Sequence, residues 1–569
     1  MKPEGKSSRT KKYAPILPGP NDWPVVWLAK NRKDFVEEVT ARSFDRLKKL
    51  RGNRNALIEE LELTLFKEKS RVKFDPWPVD PEDEKEFWGN TQKRLAELPK
   101  GDATGVAENT EADTILRDIV GRYSEEIAGN FKESHYKLTR ALVTFGLTRF
   151  LNGARLKGID RFFRNELSLM DKIHIVGETD RLRSLAKKGT VVMVPTHFSN
   201  LDSVVIGWVI NTLGLPPLIY GAGLNLFNLK LFAYFMNSLG AYKVDRRKKN
   251  LVYVETLKTY SSLALQKGIH SLFFPGGTRS RSGKLEKRLK LGLLSTAIEA
   301  QRTNYQNAEK NGEKPGKIFV VPVCLNYNFV FEAEQLIKDY LKRQGQERYY
   351  IDSEHFSSSF GILKFIFKFM MKGADVSVSI GKPMDLFGNF VDDEGDAFDQ
   401  YGRKISMADY FKSGEGVDEN LQRETVYTRM LGDRIIEEFH RINRVSSAHL
   451  AAFVTFHMLR KRHRKLDLYS LLRLSGEELV VNYDELRETF IRLRDVIFRY
   501  KKEGRIGVAD HMSSKDIDKL IREGVDNCGM YHPKRPLRFD KKGNVTTQDI
   551  NTLYYYSNRL VGYGLEKYI

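Results

Sequence analysis

The sequence predicts an α/β protein: a core of mostly parallel sheet covered by helices, flanked by N-terminal and C-terminal helical regions. Three observations carry this. Between about residues 166 and 390, short β-rich runs alternate with longer amphipathic stretches, the pattern of an α/β unit. Those runs are nearly continuous in apolar residues, as strands covered on both faces are. On either side of this segment the apolar residues recur at helical spacing.

Taken in order, the chain opens with MKPEGKSSRTKK, which is basic and is followed by no apolar run. Residues 1–20 are therefore expected to be a disordered tail, with neither a signal peptide nor a cleavage site. A helical region over 21–165 follows. Residues 34–74 are charge-rich with helical patterning, and DPWPVDP, Asp75 to Pro81, breaks it. A second helix is expected from near Thr110, where Thr110 and Asp113 can form a capping box. Behind it Ile115, Ile119, Tyr123, Ile127 and Phe131 recur on one face. The α/β segment spans 166–390, with strand-like runs at 191–195, 217–220, 271–275, 318–323 and 375–380. A polar linker over 391–419 leads to a second helical region, 420–569.

At 569 residues the chain is too long for one ordinary core. Its 41 % hydrophobic and 30 % charged residues are those of a globular protein. Two cysteines, Cys324 and Cys528, exclude a disulfide framework, and neither has a neighbour at zinc-ligand spacing. A net charge of +20 attracts phosphates, whether of nucleic acid, anionic lipid or a phosphorylated substrate. Against nucleic acid, there is no zinc-finger pattern, no RNP-like aromatic motif and no long basic helix with interleaved aromatics. The stretch Ser203 to Leu229 carries no charge, but Pro216 and Pro217 interrupt it, so a buried helix followed by a buried strand is expected. Phe360 to Met371 is too short to span a bilayer. It suits an interfacial helix with Lys364 and Lys368 snorkelling, or a core helix.

The chemistry is concentrated in VVMVPTHFSNLDSVV. An apolar strand ends at Pro195, and a helix is expected from near Ser199 or Asn200, both good caps. His197 thus sits at a strand-to-helix turn, where α/β proteins build active sites. Asp202, five residues on, can fold back to the imidazole. The same spacing recurs at His511 and Asp516 with no strand before it, so spacing alone does not identify a site. Three later blocks add to it: GAYKVDRR at 240–247, FFPGGTRSRSGKL at 273–285 and VVPVCLNY at 320–327.

These four blocks, in this order over about residues 174 to 385, resemble the glycerolipid acyltransferase superfamily. The long third block, with Tyr327 and Glu332 after the fourth, is similar to the glycerol-3-phosphate acyltransferase branch. One departure stands out: Gly276 occupies a place where the family carries Glu. The resemblance implies transfer of a fatty acyl group from a thioester, acyl-CoA or acyl carrier protein, directly to a hydroxyl of glycerol 3-phosphate, the first step of phospholipid synthesis. His197 is then the general base and Asp202 the carboxylate that orients it. For the acceptor's phosphate, Arg279 is the first candidate because a guanidinium fork matches phosphate oxygens. Gly276 and Gly277 allow close backbone approach, with Thr278 beside them, and Arg246, Arg281 and Lys284 rank second. The rest of RRKK, 246–249, is expected to be a surface face. No metal and no cofactor beyond the donor thioester is expected. The positive charge points to an anionic membrane surface as partner and to peripheral attachment at the cytoplasmic face of the inner or plasma membrane. A lysophosphatidate acyltransferase and a catalytically degenerate lipid-binding protein are the alternatives. His440, His449, His457 and His463 in the last region fit no metal motif and suit helix packing.

Overall fold

The computed structural model describes residues 12–98, 106–138, 173–224, 240–345, 376–414 and 416–569. At its centre lies a seven-stranded sheet: β1 (Ile173–Gly177), β2 (Gly189–Pro195), β3 (Ile219–Gly223), β4 (Ala241–Val244), β5 (Ser271–Leu272), β6 (Lys317–Tyr327) and β7 (Val376–Ile380). Their order is β1-β7-β6-β2-β5-β3-β4. From β6 to β4 all neighbours are parallel. β7 runs antiparallel to β6, and β1 is parallel to β7, so this edge pair is reversed.

Four of the five strand-like runs fall in β2, β3, β6 and β7. The fifth, SLFFP, contributes only two residues as β5; Phe273 makes a last backbone bond to Met193 and the chain then turns towards the site. β1 and β4 were not legible as strands. β1 is IHIVG, half-buried, and β4 is AYKV, four residues including a lysine. Neither edge strand has the continuous apolar run of a central one.

Alternate residues of β2 serve opposite faces. Val191 and Met193 pack with helix Asp202–Thr212 and the C-terminal helices; Val192 and Val194 pack with helices Gly292–Asn311 and Leu421–Ile442. The N-terminal helices, from Pro24–Lys30 to Val106–Ile127, share a third core with Ile219, Tyr242 and helix Leu251–Gln266 at the β3–β4 end.

Three details differ from expectation. The helix expected from Thr110 begins at Val106, so Thr110 lies inside it rather than at its start. Its apolar face is as expected: Ile115, Ile119, Tyr123, Ile127 and Phe131 are all buried. Within the stretch read as a tail, Tyr13 and Ile16 donate their backbone N–H groups to Thr212 and Gly214. Within the stretch read as a linker, Phe390–Val391, Ala397–Phe398 and Lys404–Ile405 form a small antiparallel sheet, and Phe411 is wholly buried. The uncharged stretch does fold as a helix followed by β3, as far as it is described. Phe360 to Met371 lies outside the described residues. Among the described residues no helix is long and apolar enough to cross a membrane.

Candidate active site

β2 ends at Pro195, and the next helix starts at Asp202 rather than at Ser199 or Asn200. The connecting turn is held from inside by the Asp202 carboxylate. Its Oδ2 accepts the backbone N–H groups of Phe198 at 2.6 Å and Ser199 at 3.0 Å, and meets His197 Nδ1 at 2.8 Å. Its Oδ1 accepts the Tyr327 hydroxyl at 2.6 Å, from the end of β6. A buried carboxylate with both oxygens used this way is fixed in place. A carboxylate only accepts hydrogen bonds, so this contact suits the tautomer with the proton on Nδ1 and the lone pair on Nε2. The imidazole is 17 % exposed, against none of Asp202, so the ring is the part that meets the cleft.

The third block closes around the same histidine. Phe274 stacks on the imidazole with centroids 4.1 Å apart and 23° between planes. The Ser280 N–H donates to the His197 carbonyl at 2.7 Å. The His197 N–H donates to Glu286 Oε1 at 3.3 Å. Glu286 was not singled out in the sequence. The residue is half-buried with its carboxyl Oε2 enclosed, and desolvation pushes the carboxyl up to about 7, with the charge of Asp202 a smaller contribution in the same direction.

His197 opens on a cleft of about 660 Å³, in the size range of small-molecule sites. Arg246, Gly276, Gly277, Thr278, Arg279 and Arg281 line it with His197, so the structure gathers these sequence-chosen residues in one place. Lys284 is not among the lining residues; its carbonyl accepts the Ser280 hydroxyl at 2.8 Å, and burial and nearby Lys287 and Arg460 lower the proton affinity of its amine. Gly277 has φ +76°, and a β-carbon there would come within 2.9 Å of Lys290 Cγ, so glycine is required. Its N–H donates to Phe274 within the turn at 3.0 Å, which removes it as a direct anion donor. Lys258, Lys290 and Arg343 also line the cleft, from segments that carry no motif.

Arg279 Nη1 lies 3.3 Å from Glu332 Oε1. Glu332 in turn accepts the Ser199 hydroxyl at 3.0 Å and the Asn200 N–H at 2.9 Å. Glu332 therefore ties the arginine loop to the turn that holds His197.

The surface expected for RRKK is corrected at two positions: Arg247 and Lys248 are buried. Arg247 bonds Asp245 at 2.7 Å and Asp80 at 3.1 Å and lies 4.0 Å from the ring centroid of Trp77. Lys248 pairs with Glu126. The segment DPWPVDP thus breaks a helix and also supplies partners for the residues beside Arg246.

At the spacing control the outcome differs from that at His197. Asp516 caps helix Ile517–Asn527 by accepting the Lys519 N–H, and His511 Nε2 pairs with Ser447. His449 bonds the Tyr327 carbonyl at 3.1 Å, and His440 and His457 pack against Tyr563 and Phe453. Among the described residues no group of three His, Cys, Asp or Glu side chains could hold a metal ion.

Residues 174–326 match the Acyltransferase family, so the chain carries an acyltransferase domain, the segment that holds His197, Asp202 and the arginine loop. Over 275 residues the chain is 26 % identical to a protein named glycerol-3-phosphate acyltransferase from Pseudoalteromonas atlantica (strain T6c / ATCC BAA-1087). The alignment covers 48 % of this chain and 29 % of that relative, so this chain matches less than a third of the relative's length.

Proposed function

We propose that this protein transfers a fatty acyl group from a thioester donor, acyl-CoA or acyl carrier protein, to a hydroxyl of glycerol 3-phosphate. The observation that carries this is the placement of His197, held by Asp202, in a cleft also lined by Arg246, Arg279 and Arg281. Nε2 of His197 takes the proton of the acceptor hydroxyl as its oxygen attacks the thioester carbonyl. Asp202 stabilises the imidazolium that forms. When the tetrahedral intermediate collapses, the C–S bond breaks and the imidazolium returns the proton to the departing thiolate. The products are an ester and a free thiol, with no acyl-enzyme and no metal or cofactor in the cycle.

The small acceptor is favoured by charge. Glycerol 3-phosphate must draw its binding energy from its phosphate and hydroxyls. Lysophosphatidate could add about 0.8 kcal/mol per buried CH₂ and rely on fewer cations. A cleft lined by several arginines and lysines suits the former, and the name of the relative is in keeping with it. The net charge of +20 supports peripheral attachment to an anionic membrane, at the cytoplasmic face of the inner or plasma membrane.

The test is kcat/KM for glycerol 3-phosphate and for lysophosphatidate with one thioester donor, read by free-thiol release. A preference for glycerol 3-phosphate is expected. A preference for lysophosphatidate would move the protein to the second acceptor, and no acceptor-dependent release with several donors in the presence of lipid would make it a lipid-binding protein.

A further inference from the structure

Nothing in the sequence of the C-terminal region suggests a part in chemistry, yet one turn of it reaches the loops around His197. Helix Ile550–Ser557 is followed by a short 3₁₀ turn, Asn558–Leu560. Arg559 is only 5 % exposed, and its guanidinium lies 3.6 Å from the ring centroid of Phe198, the residue after His197. Its Nη2 donates to the Leu325 carbonyl at 2.8 Å, on β6 two residues before Tyr327. Asn558 is buried and its Nδ2 donates to the Ser282 carbonyl at 2.8 Å, in the loop of Arg279 and Arg281. The next residue, Gly283, has φ +79°, and a β-carbon there would stand 2.2 Å from the Tyr555 carbonyl oxygen. Loop and helix meet there backbone to backbone. Tyr556 accepts the Val330 N–H at 2.9 Å, two residues before Glu332.

Each of these contacts falls on a different segment of the site. Phe198 follows β2, Ser282 and Gly283 follow β5, Leu325 belongs to β6, and Val330 precedes the glutamate that holds Arg279. We propose that the turn Tyr555–Arg559 is a positioning element of the acyl-transfer site, with Arg559 as its central residue. This rests on the acyl-transfer function proposed above. The physical reason is that loops on separate strand ends have no common support unless something straps them, and a misplacement of about 1 Å at a reacting group can cost on the order of 100-fold in rate. Arginine suits the place because one face of its guanidinium covers an aromatic ring while its edge donates to a carbonyl. A lysine ammonium is a point charge and meets both demands less well. The cation also stands among the buried carboxyls of the site, where it opposes the rise in the proton affinity of Glu286.

The full-length chain is tested as Arg559→Met, Arg559→Lys, Asn558→Ala and Phe198→Leu. Arg494→Met serves as control, because Arg494 donates to the Met512 and Ser514 carbonyls elsewhere in the C-terminal region. Readouts are kcat, acceptor KM, thermal unfolding, and the rate at which diethyl pyrocarbonate modifies His197, followed by mass spectrometry. Arg559→Met should lower kcat on the order of 100-fold, with partial recovery in Arg559→Lys and a smaller loss in Phe198→Leu. Asn558→Ala should act on the arginine loop, raising acceptor KM roughly tenfold, the equivalent of one hydrogen bond, with a smaller change in kcat. His197 labelling should change severalfold in Arg559→Met and stay at the wild-type rate in Arg494→Met. The proposal is overturned if Arg559→Met and Asn558→Ala, folded by their melting transitions, keep kcat, KM and the labelling rate within twofold, or if Arg494→Met loses as much as they do. If Arg559→Met fails to fold, Asn558→Ala and Phe198→Leu decide by the same limits. If the wild-type protein transfers no acyl group, the proposed function fails, while His197 labelling still tests the strap.

Discussion

A β-carbon on Gly276 would stand 3.1 Å from Oε1 and 3.2 Å from Cγ of Glu286. The space a side chain at 276 would enter is filled by a carboxylate from ten residues further along, which also accepts the His197 N–H. Gly276→Glu should therefore obstruct the site, by overpacking worth about 1–3 kcal/mol and by setting two carboxylates together. Removing the obstacle in Gly276→Glu/Glu286→Ala should recover part of the loss in kcat/KM and in melting temperature. A double variant no better than Gly276→Glu alone would show that the two side chains do not compete.

Glu286 also sets a pH dependence of stability. Its carboxyl is raised from 4.5 to about 7, chiefly by burial. For a raised acid, the contribution to stability is fully present below the unfolded value and is lost as pH rises through the folded one. Between about pH 4.5 and 7 the wild type should lose about 3 kcal/mol from this group. Glu286→Gln should have a flatter profile and be the more stable form above pH 7. Urea midpoints at pH 5 and pH 8 check this; equal pH dependence in the two proteins would contradict it.

Removing the proposed base should stop turnover without unfolding the chain. His197→Ala should cost at least 100-fold in kcat with a nearly unchanged melting temperature, whereas His511→Ala should leave kcat alone. Tyr327→Phe keeps the ring but takes one donor from the buried Asp202, at about 1–3 kcal/mol. It should reduce both kcat and stability. Retention of most turnover in His197→Ala would rule out the mechanism.

Arg279→Ala should raise the acceptor KM strongly, and Arg279→Lys should recover only part, because the fork is lost. Glu332→Gln removes the anion 3.3 Å from Arg279. It should shift acceptor KM more than donor KM. Steady-state kinetics with each substrate varied in turn measure this, and an unchanged acceptor KM in both arginine variants would place the phosphate elsewhere.

Vesicle flotation tests the membrane surface. Each basic side chain near an anionic bilayer contributes about 1 kcal/mol, screened over a Debye length of about 8 Å. Recovery with anionic vesicles should exceed that with neutral ones and fall with added salt. Equal recovery with both at low salt would argue against an electrostatic attachment.

The parts of the site that were legible in the sequence are the local ones. His197 and Asp202 are five residues apart on one strand-to-helix turn, and the arginine loop is a single glycine-rich run. Their supports are distant and carry no pattern. Trp77 and Asp80 reach Arg247 across some 170 residues, so two of the three cations read as a surface face, Arg247 and Lys248, have buried side chains. Glu286 sits in a charged stretch, EKRLK, whose composition suggests exposure, and only folding shows that its carboxyl turns inward. Lys258 and Arg343 reach the cleft from helices that sequence periodicity places but does not orient towards a ligand. In the fold, central strands showed as apolar runs, while the edge strands β1 and β4 did not, because a strand covered on fewer sides needs fewer apolar residues.

The reversed edge of the sheet has a consequence for how the chain is made. β7 lies between β1 and β6, so the segment 174–326 that matches the family includes all but one residue of each of β1 and β6 but lacks the strand that joins them. On the ribosome β1 must wait for its partner through about 200 residues of later synthesis, on the order of 10–40 s at ~5–20 residues per second. Until β7 emerges, β1 has no ladder and the flank of β6 is an open edge, a surface that invites pairing with other chains. Between the synthesis of β6 and that of β7 the nascent sheet therefore carries an unpaired flank, and a fragment ended at residue 326 should aggregate where the whole chain does not.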